Sequence, residues 1–308
     1  MKLIEKKFLV KHSSSPDYYL GNHFHYIEKE KRWTYDCTTY CKEAVSRIER
    51  DIGTISSKKT PYPVGDCCPE LDNSALLNKK DHRFYQQLIG MGIWLTVVGR
   101  PDICYAILSL SRFSSCPRCT HLDMLIRVFG YLKYFPNKRI AIDSTPINMS
   151  KLPKVDKLQP DFLNEYNDAK EDIGNGHPPP RGRELQVTVM CDSDHAHDQK
   201  TRRSITGIIV FIGSTPVLWL SKRQGAIATS TYAAEFMALR HGAEEIIHLR
   251  YMLQCLGVPV TQPSNLFGDN LGVIQNASNV DAELKKKHVS ISFHVVREAI
   301  AARIMPQE

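Results

Sequence analysis

Three acidic side chains stand in contexts that suit metal chemistry. Asp192 and Asp194 close a run in which Leu185, Val187, Val189 and Cys191 alternate with Thr188, Met190 and the two acids. A period of two predicts a half-buried strand, and it puts both aspartates on one face of that strand. Glu235 lies near the start of a long helical run, and Asp269 follows the short strand-like Ser264-Asn-Leu-Phe-Gly268. Carboxylates are costly to bury unless a cation or a donor meets them. Acids on a strand, a helix and a strand, in that order, can converge at one end of a sheet. Hard oxygen ligands gathered there suit Mg²⁺ or Mn²⁺.

The elements around the three acids are legible. Thr206-Gly-Ile-Ile-Val-Phe-Ile-Gly213 is strongly β and bounded by glycines, and Pro216-Val-Leu-Trp-Leu220 follows after a Gly213-Ser-Thr turn. With the Asp192 strand these make an antiparallel meander. Ser230 or Thr231 can cap the helix that runs to about Cys255, and Gly257 can end it. Phe236, Leu239, Ala243, Ile246, Ile247 and Leu253 form its core side. The fourth strand holds Phe267. A short helix follows Asn270, and a last one spans about Ser290 to Arg303.

Upstream the pattern differs. Residues 1–60 read as a small α/β piece, with strand signals at Asp17–Asn22, Phe24–Ile27 and Arg32–Asp36 and a helix from Lys42 to Arg50. The piece is too small and charged to hold its own core. Thr60 to Pro69 is a proline-marked loop. Residues 82–140 carry three amphipathic helical stripes: Tyr85 to Leu95, Ile103 to Leu110 and Leu122 to Leu132. Arg100, Arg112, Arg127 and Lys133 lie among their apolar positions. They can track a phosphate backbone, or they can be ordinary solvated helix faces. Residues 144–184 lose periodicity and end in Pro178-Pro-Pro180, which reads as a linker before a domain at 185–308.

The bulk properties agree with a two-part chain of 308 residues. A net charge of +7 suits a polyanionic partner without identifying one. No apolar run approaches the about 18 residues of a membrane span, and Met1-Lys-Leu-Ile-Glu-Lys-Lys7 lacks the apolar core of a signal peptide. Nine scattered cysteines point to reduced thiols in a cytoplasmic or nuclear setting. Cys116-Pro-Arg-Cys119 and Cys37-Thr-Thr-Tyr-Cys41 each offer half a zinc site, but no second pair follows either at finger spacing.

Three strands, a helix, a strand and a helix, with acids on the first, fourth and fifth of these, match the ribonuclease H fold in order. Residues 191–298 resemble the ribonuclease H domain of a copia-type retrotransposon polyprotein. The resemblance rests on Asp192-Ser-Asp-His-Ala196, Arg202-Arg-Ser-Ile-Thr-Gly207, Trp219-Leu-Ser-Lys-Arg-Gln224, Ser230-Thr-Tyr-Ala-Ala-Glu-Phe236 and Gly268-Asp-Asn270. It continues through Lys287-His288, Phe293-His294 and Arg297-Glu298. Tyr85-Gln-Gln-Leu-Ile-Gly90, Arg100-Pro-Asp-Ile103, Leu110-Ser-Arg-Phe113 and Tyr131-Leu-Lys133 resemble the thumb helices that end the reverse transcriptase of such elements. Tyr19-Leu-Gly21 resembles a palm strand beyond its active site.

The resemblance implies an α+β, ribonuclease H-like mixed sheet with flanking helices, preceded by a palm-like remnant and a thumb-like bundle. It implies that Asp192, Glu235 and Asp269 bind two Mg²⁺ ions and direct hydrolysis of the RNA strand of an RNA–DNA hybrid. Around them, Asp194 can assist a metal or pair with Arg202 or Arg203. Asn270 can donate to a phosphate or serve as a turn residue. His288 and His294 can help proton transfer or simply pack.

Two departures from the family stand out. The further acid that copia-type domains carry after the Lys-His pair is replaced by Ser290 and Ser292, and a hydroxyl is a poorer Mg²⁺ ligand. No Tyr-x-Asp-Asp sequence occurs, so no polymerase activity is expected without a reverse transcriptase portion absent from the chain, and relatives usually run beyond the position of Glu308. Two readings follow: a ribonuclease H-type endonuclease, or a truncated retroelement product that binds nucleic acid without cutting it.

Overall fold

The computed structural model describes residues 16–63, 68–149, 165–171, 173–174, 176–278 and 287–305, without the side chains of 278 and 287–291. Strands β1 (Tyr18–Tyr19), β2 (Asn22–Ile27) and β3 (Arg32–Asp36) form an antiparallel sheet that β4 (Ile140–Ile142) completes, in the order β1-β2-β3-β4. Helices α1 (Thr38–Ile52), α2 (Lys79–Val98), α3 (Cys104–Ser111) and α4 (Cys119–Tyr134) lie between β3 and β4 in sequence. The first helix starts four residues before the expected Lys42, because the Thr38 amide bonds to Asp36 Oδ1 at 3.0 Å. Asn78 caps α2 by accepting from the amides of Lys80 and Asp81 at 2.9 and 3.0 Å.

One apolar cluster unites these helices: Ile48 of α1, Leu88 and Leu95 of α2, Ile107 and Leu110 of α3, and Phe129 of α4 are all fully buried. Residues 37–55 therefore bury their apolar stripe against 85–132, as the small size of the first piece requires.

The second sheet is mixed. β5 (Val187–Asp194), β6 (Ile205–Ile212) and β7 (Thr215–Arg223) form the meander, and β8 (Asn265–Phe267) joins β5 in parallel, giving the order β7-β6-β5-β8. Antiparallel strands need only the short turn at Gly213-Ser214, whereas the parallel β8 needs a crossover through α5 (Thr231–Cys255). Ser230 caps α5 by accepting from the Ala233 amide at 3.2 Å. Helices α6 (Leu271–Ser278) and α7 (Lys287–Ala301) follow.

A second apolar cluster holds Val187, Val189, Ile208 and Val210 of the sheet, Phe236, Ala243 and Ile246 of α5, and Phe293 and Val296 of α7. Phe236 stacks on Phe293 with ring centroids 3.8 Å apart. Gly242 lets α5 lie close to the sheet, since a Cβ there would come within 2.7 Å of Leu266 Cδ1. That approach brings the first turns of α5 level with the ends of β5 and β8.

The described part of the linker is tethered rather than free. Glu171 forms a two-point pair with buried Arg250 at 2.7 Å on each contact, and Glu184 accepts from the Thr261 and Gln262 amides. Composition alone gives no sign of these partners, which lie 77 to 79 residues away in sequence. No described helix is long and apolar enough to cross a membrane.

Candidate metal centre

Asp192 is the sixth residue of β5, opposite Gly207 of β6. Glu235 stands one turn into α5, and Asp269 lies just past β8, separated from it by Gly268. The chain thus delivers one acid from a strand, one from the helix packed on that strand, and one from the neighbouring parallel strand. A carboxylate oxygen from each lies within 4.8 Å of one from the other two. Among the described residues, no other group of three or more His, Cys, Asp or Glu side chains meets so closely.

The electrostatics fit a cation-holding set. Glu235 is buried, while Asp192 and Asp269 are exposed. Burial pushes the Glu235 carboxyl above the usual glutamate range, and the charges of Asp269 and Asp192 push it the same way. Behind the trio, burial drives the Cys191 thiol up to about 12, with the charges of Glu235, Asp192 and Asp269 adding to the effect. Three oxygen donors carrying negative charge, one of them disfavoured as an anion when alone, suit a hard divalent ion.

The remaining candidates fall elsewhere. Asp194 shares the exposed face with Asp192, yet it pairs with neither Arg202 nor Arg203. Its Oδ2 meets Nδ1 of His197 at 2.6 Å, and Nε2 of that ring meets the Tyr105 hydroxyl of α3 at 2.9 Å. Asn270 caps α6 through its Oδ1, which accepts from the Val273 amide at 3.1 Å. His294 is engaged by the Tyr166 hydroxyl at 2.7 Å and is not among the ligand atoms gathered at the trio. The side chains of His288 and Ser290 lie outside the described residues. Ser292 is buried, with its hydroxyl directed at Met237 Sδ at 3.6 Å.

The four basic residues that can track phosphate or serve as ordinary helix faces each meet an acceptor of this chain, and of the four only Arg100 is buried. Arg100 is completely buried and grips Asp102 with two bonds of 2.9 Å. Arg112 bonds to Asp198 at 2.9 Å, Arg127 to Thr60 at 2.8 Å, and Lys133 to Glu49 at 2.7 Å. Arg100 pairs within its own turn, whereas Arg112, Arg127 and Lys133 each find an acceptor on a segment distant in sequence.

Asp198 escaped the sequence reading. Almost fully buried, it accepts from Arg112 and Arg223 and from the Lys200 and Thr201 amides. Burial works to raise its carboxyl, but the Thr201 amide and the Arg223 guanidinium outweigh that and hold it at about 2. An acid six residues past Asp192 carries no local mark of this role; its cations come from the residue that ends α3 and from β7.

Comparison with known proteins now adds ancestry. The chain is 25% identical over 297 residues to the retrovirus-related Pol polyprotein from transposon RE1 of Arabidopsis thaliana. Its homologues are retrovirus-related Pol polyproteins of copia-type transposons. The alignment with RE1 covers 96% of this chain and 17% of the relative, and the Pol polyprotein from transposon RE2 of the same plant matches 96% and 17% at 22% identity. A putative transposon Ty5-1 protein of Saccharomyces cerevisiae is 25% identical over 79% of this chain and 65% of its own length. The chain thus spans about a sixth of the first two Pol polyproteins. No family model and no solved structure matches it.

Proposed function

We propose that residues 185–305 form a ribonuclease H-like unit that hydrolyses the RNA strand of an RNA–DNA hybrid. The observation that carries this reading is the meeting of Asp192, Glu235 and Asp269 within 4.8 Å at one end of a mixed sheet. The strand, helix and strand order of the acids and the kinship with Pol polyproteins support it.

In this reading Asp192, Glu235 and Asp269 would hold Mg²⁺ or Mn²⁺. A divalent ion bound there supplies positive charge at a phosphate and makes water more acidic. Burial raises the Glu235 carboxyl, and a cation bound beside it would act in the opposite direction and favour its ionised form. Asp192 and Asp269, exposed on either side, present oxygens toward solvent, where a nucleic-acid strand can approach. Incubating a labelled hybrid with the protein and Mg²⁺ tests the reading: cutting that disappears in Asp192→Asn is expected, and cutting unaffected by that change would overturn it.

One observation favours a second reading, nucleic-acid binding without cleavage. Ser292 directs its hydroxyl to Met237 rather than to the trio, so it does not stand in for a fourth acid. Salt-sensitive binding of the hybrid with no cutting in Mg²⁺ or Mn²⁺ would select this alternative.

A further inference from the structure

A cleft of about 490 Å³ opens beside the three acids, on the sheet face opposite α5, and Asp192 belongs to both. The strand registers set its floor in two rows. Met190, Ile209 and Trp219 lie side by side across β5, β6 and β7, and Asp192, Gly207 and Ser221 form the next row. Cys104 and Tyr105 of α3 close the other side. Met190 and Ile209 are 36% and 41% exposed, an unusual amount of apolar surface beside a carboxylate centre.

Gly207 makes the cleft deep where it meets the acids. It occupies an extended strand position directly opposite Asp192, and a Cβ added there would meet nothing within 4 Å. Glycine weakens a strand interior, so no packing demand explains it here.

The lining decides the ligand. No Lys or Arg contributes to it, while Asp192 and Asp194 do, so a free phosphate would be repelled. Apolar walls with two aromatic side chains suit a flat, uncharged ring, and the volume falls in the range of sites for small molecules. Asp194 and Ser221 offer acceptors suited to an exocyclic amine. A neutral ring system tethered to a phosphate at the adjoining acids is a nucleotide of the substrate strand. We infer that this cleft receives one unstacked nucleobase of the strand whose phosphate lies at Asp192, Glu235 and Asp269. This rests on the ribonuclease reading and adds a base-binding subsite to it.

RNA–DNA hybrids with 2-aminopurine at successive RNA positions test the inference, in Ca²⁺ so that the strand stays intact. Unstacking a base should raise its fluorescence severalfold at one position. Gly207→Leu, which fills the cleft, should abolish that rise while leaving Mn²⁺ binding unchanged, and Gly207→Ala should keep most of it. A rise that persists in Gly207→Leu, or a bound hybrid that brightens nowhere, overturns the subsite. If the hybrid is cut in Mg²⁺ yet never brightens, only the subsite falls; if the folded protein neither binds nor cuts it, the ribonuclease reading falls as well.

Discussion

The guanidinium of Arg112 meets the carboxylate of Asp198 at 2.9 Å, joining α3 to the loop that follows the strand of Asp192. Arg223 of β7 approaches the same oxygen at 2.7 Å. Nearby, the Trp219 indole donates to the Thr96 carbonyl at 2.9 Å, and the Gln199 amide to Glu70 at 2.9 Å. The helical part and the second sheet are therefore held together by part-buried polar contacts.

Asp198 should be a stability residue with a clear pH signature. Its folded pKa of about 2 lies below the ordinary 3.8, so its contribution is complete above that ordinary value and is lost as pH falls through about 2. The shift corresponds to about 2 kcal/mol, and removing one partner of a buried pair costs about 3–5 kcal/mol. Asp198→Asn should lower urea-unfolding stability at pH 7 by an amount in that span, and the gap to the wild type should narrow below pH of about 3. A gap independent of pH would contradict the pairing.

Arg100 offers a test between structural and phosphate-binding roles. With its charge buried against Asp102, Arg100→Ala should cost about 3–5 kcal/mol of stability. A phosphate contact would instead show as a shallower salt dependence of nucleic-acid binding with the fold intact. Urea unfolding and binding at two salt concentrations separate the outcomes.

Phe236 lies fully buried on the helix that presents Glu235, stacked on Phe293 of α7. Phe236→Ala should destabilise the protein by about 3–5 kcal/mol. Thermal unfolding checks this, and an effect below about 1 kcal/mol would mean the two rings do not anchor α5 and α7 to one another.

Cysteine reactivity reports on the burial of Cys191 behind the trio. Cys191, buried and pushed up to about 12, should resist alkylation at pH 8, while exposed Cys116 and Cys119 react readily. Mass spectrometry of briefly alkylated protein distinguishes them. Rapid labelling of Cys191 in the folded protein would contradict its placement.

The chain tells local things well and distant things poorly. Alternation around Val187 and Val189 marks β5, Gly213 marks the end of β6 although Gly207 lies inside the strand, and Ser230 marks the start of α5; each depends on neighbours within a few residues. The partners of Arg112, Arg127 and Lys133 do not show, because a cation on an apolar stripe looks the same whether it faces water or an acceptor from 67 to 86 residues away. The Asp194–His197–Tyr105 chain was equally hidden, since Tyr105 comes from 92 residues before His197. Tertiary approach, not local pattern, decides such roles.

The central claim is that Asp192, Glu235 and Asp269 share a divalent ion. Calorimetric titration of the metal-free protein with Mn²⁺ measures this directly, alongside Asp192→Asn, Glu235→Gln and Asp269→Asn. Saturable binding in the wild type that weakens at least about tenfold in each variant is the expected result. Binding that is absent from the folded wild type, or equally tight in all three variants, would contradict it.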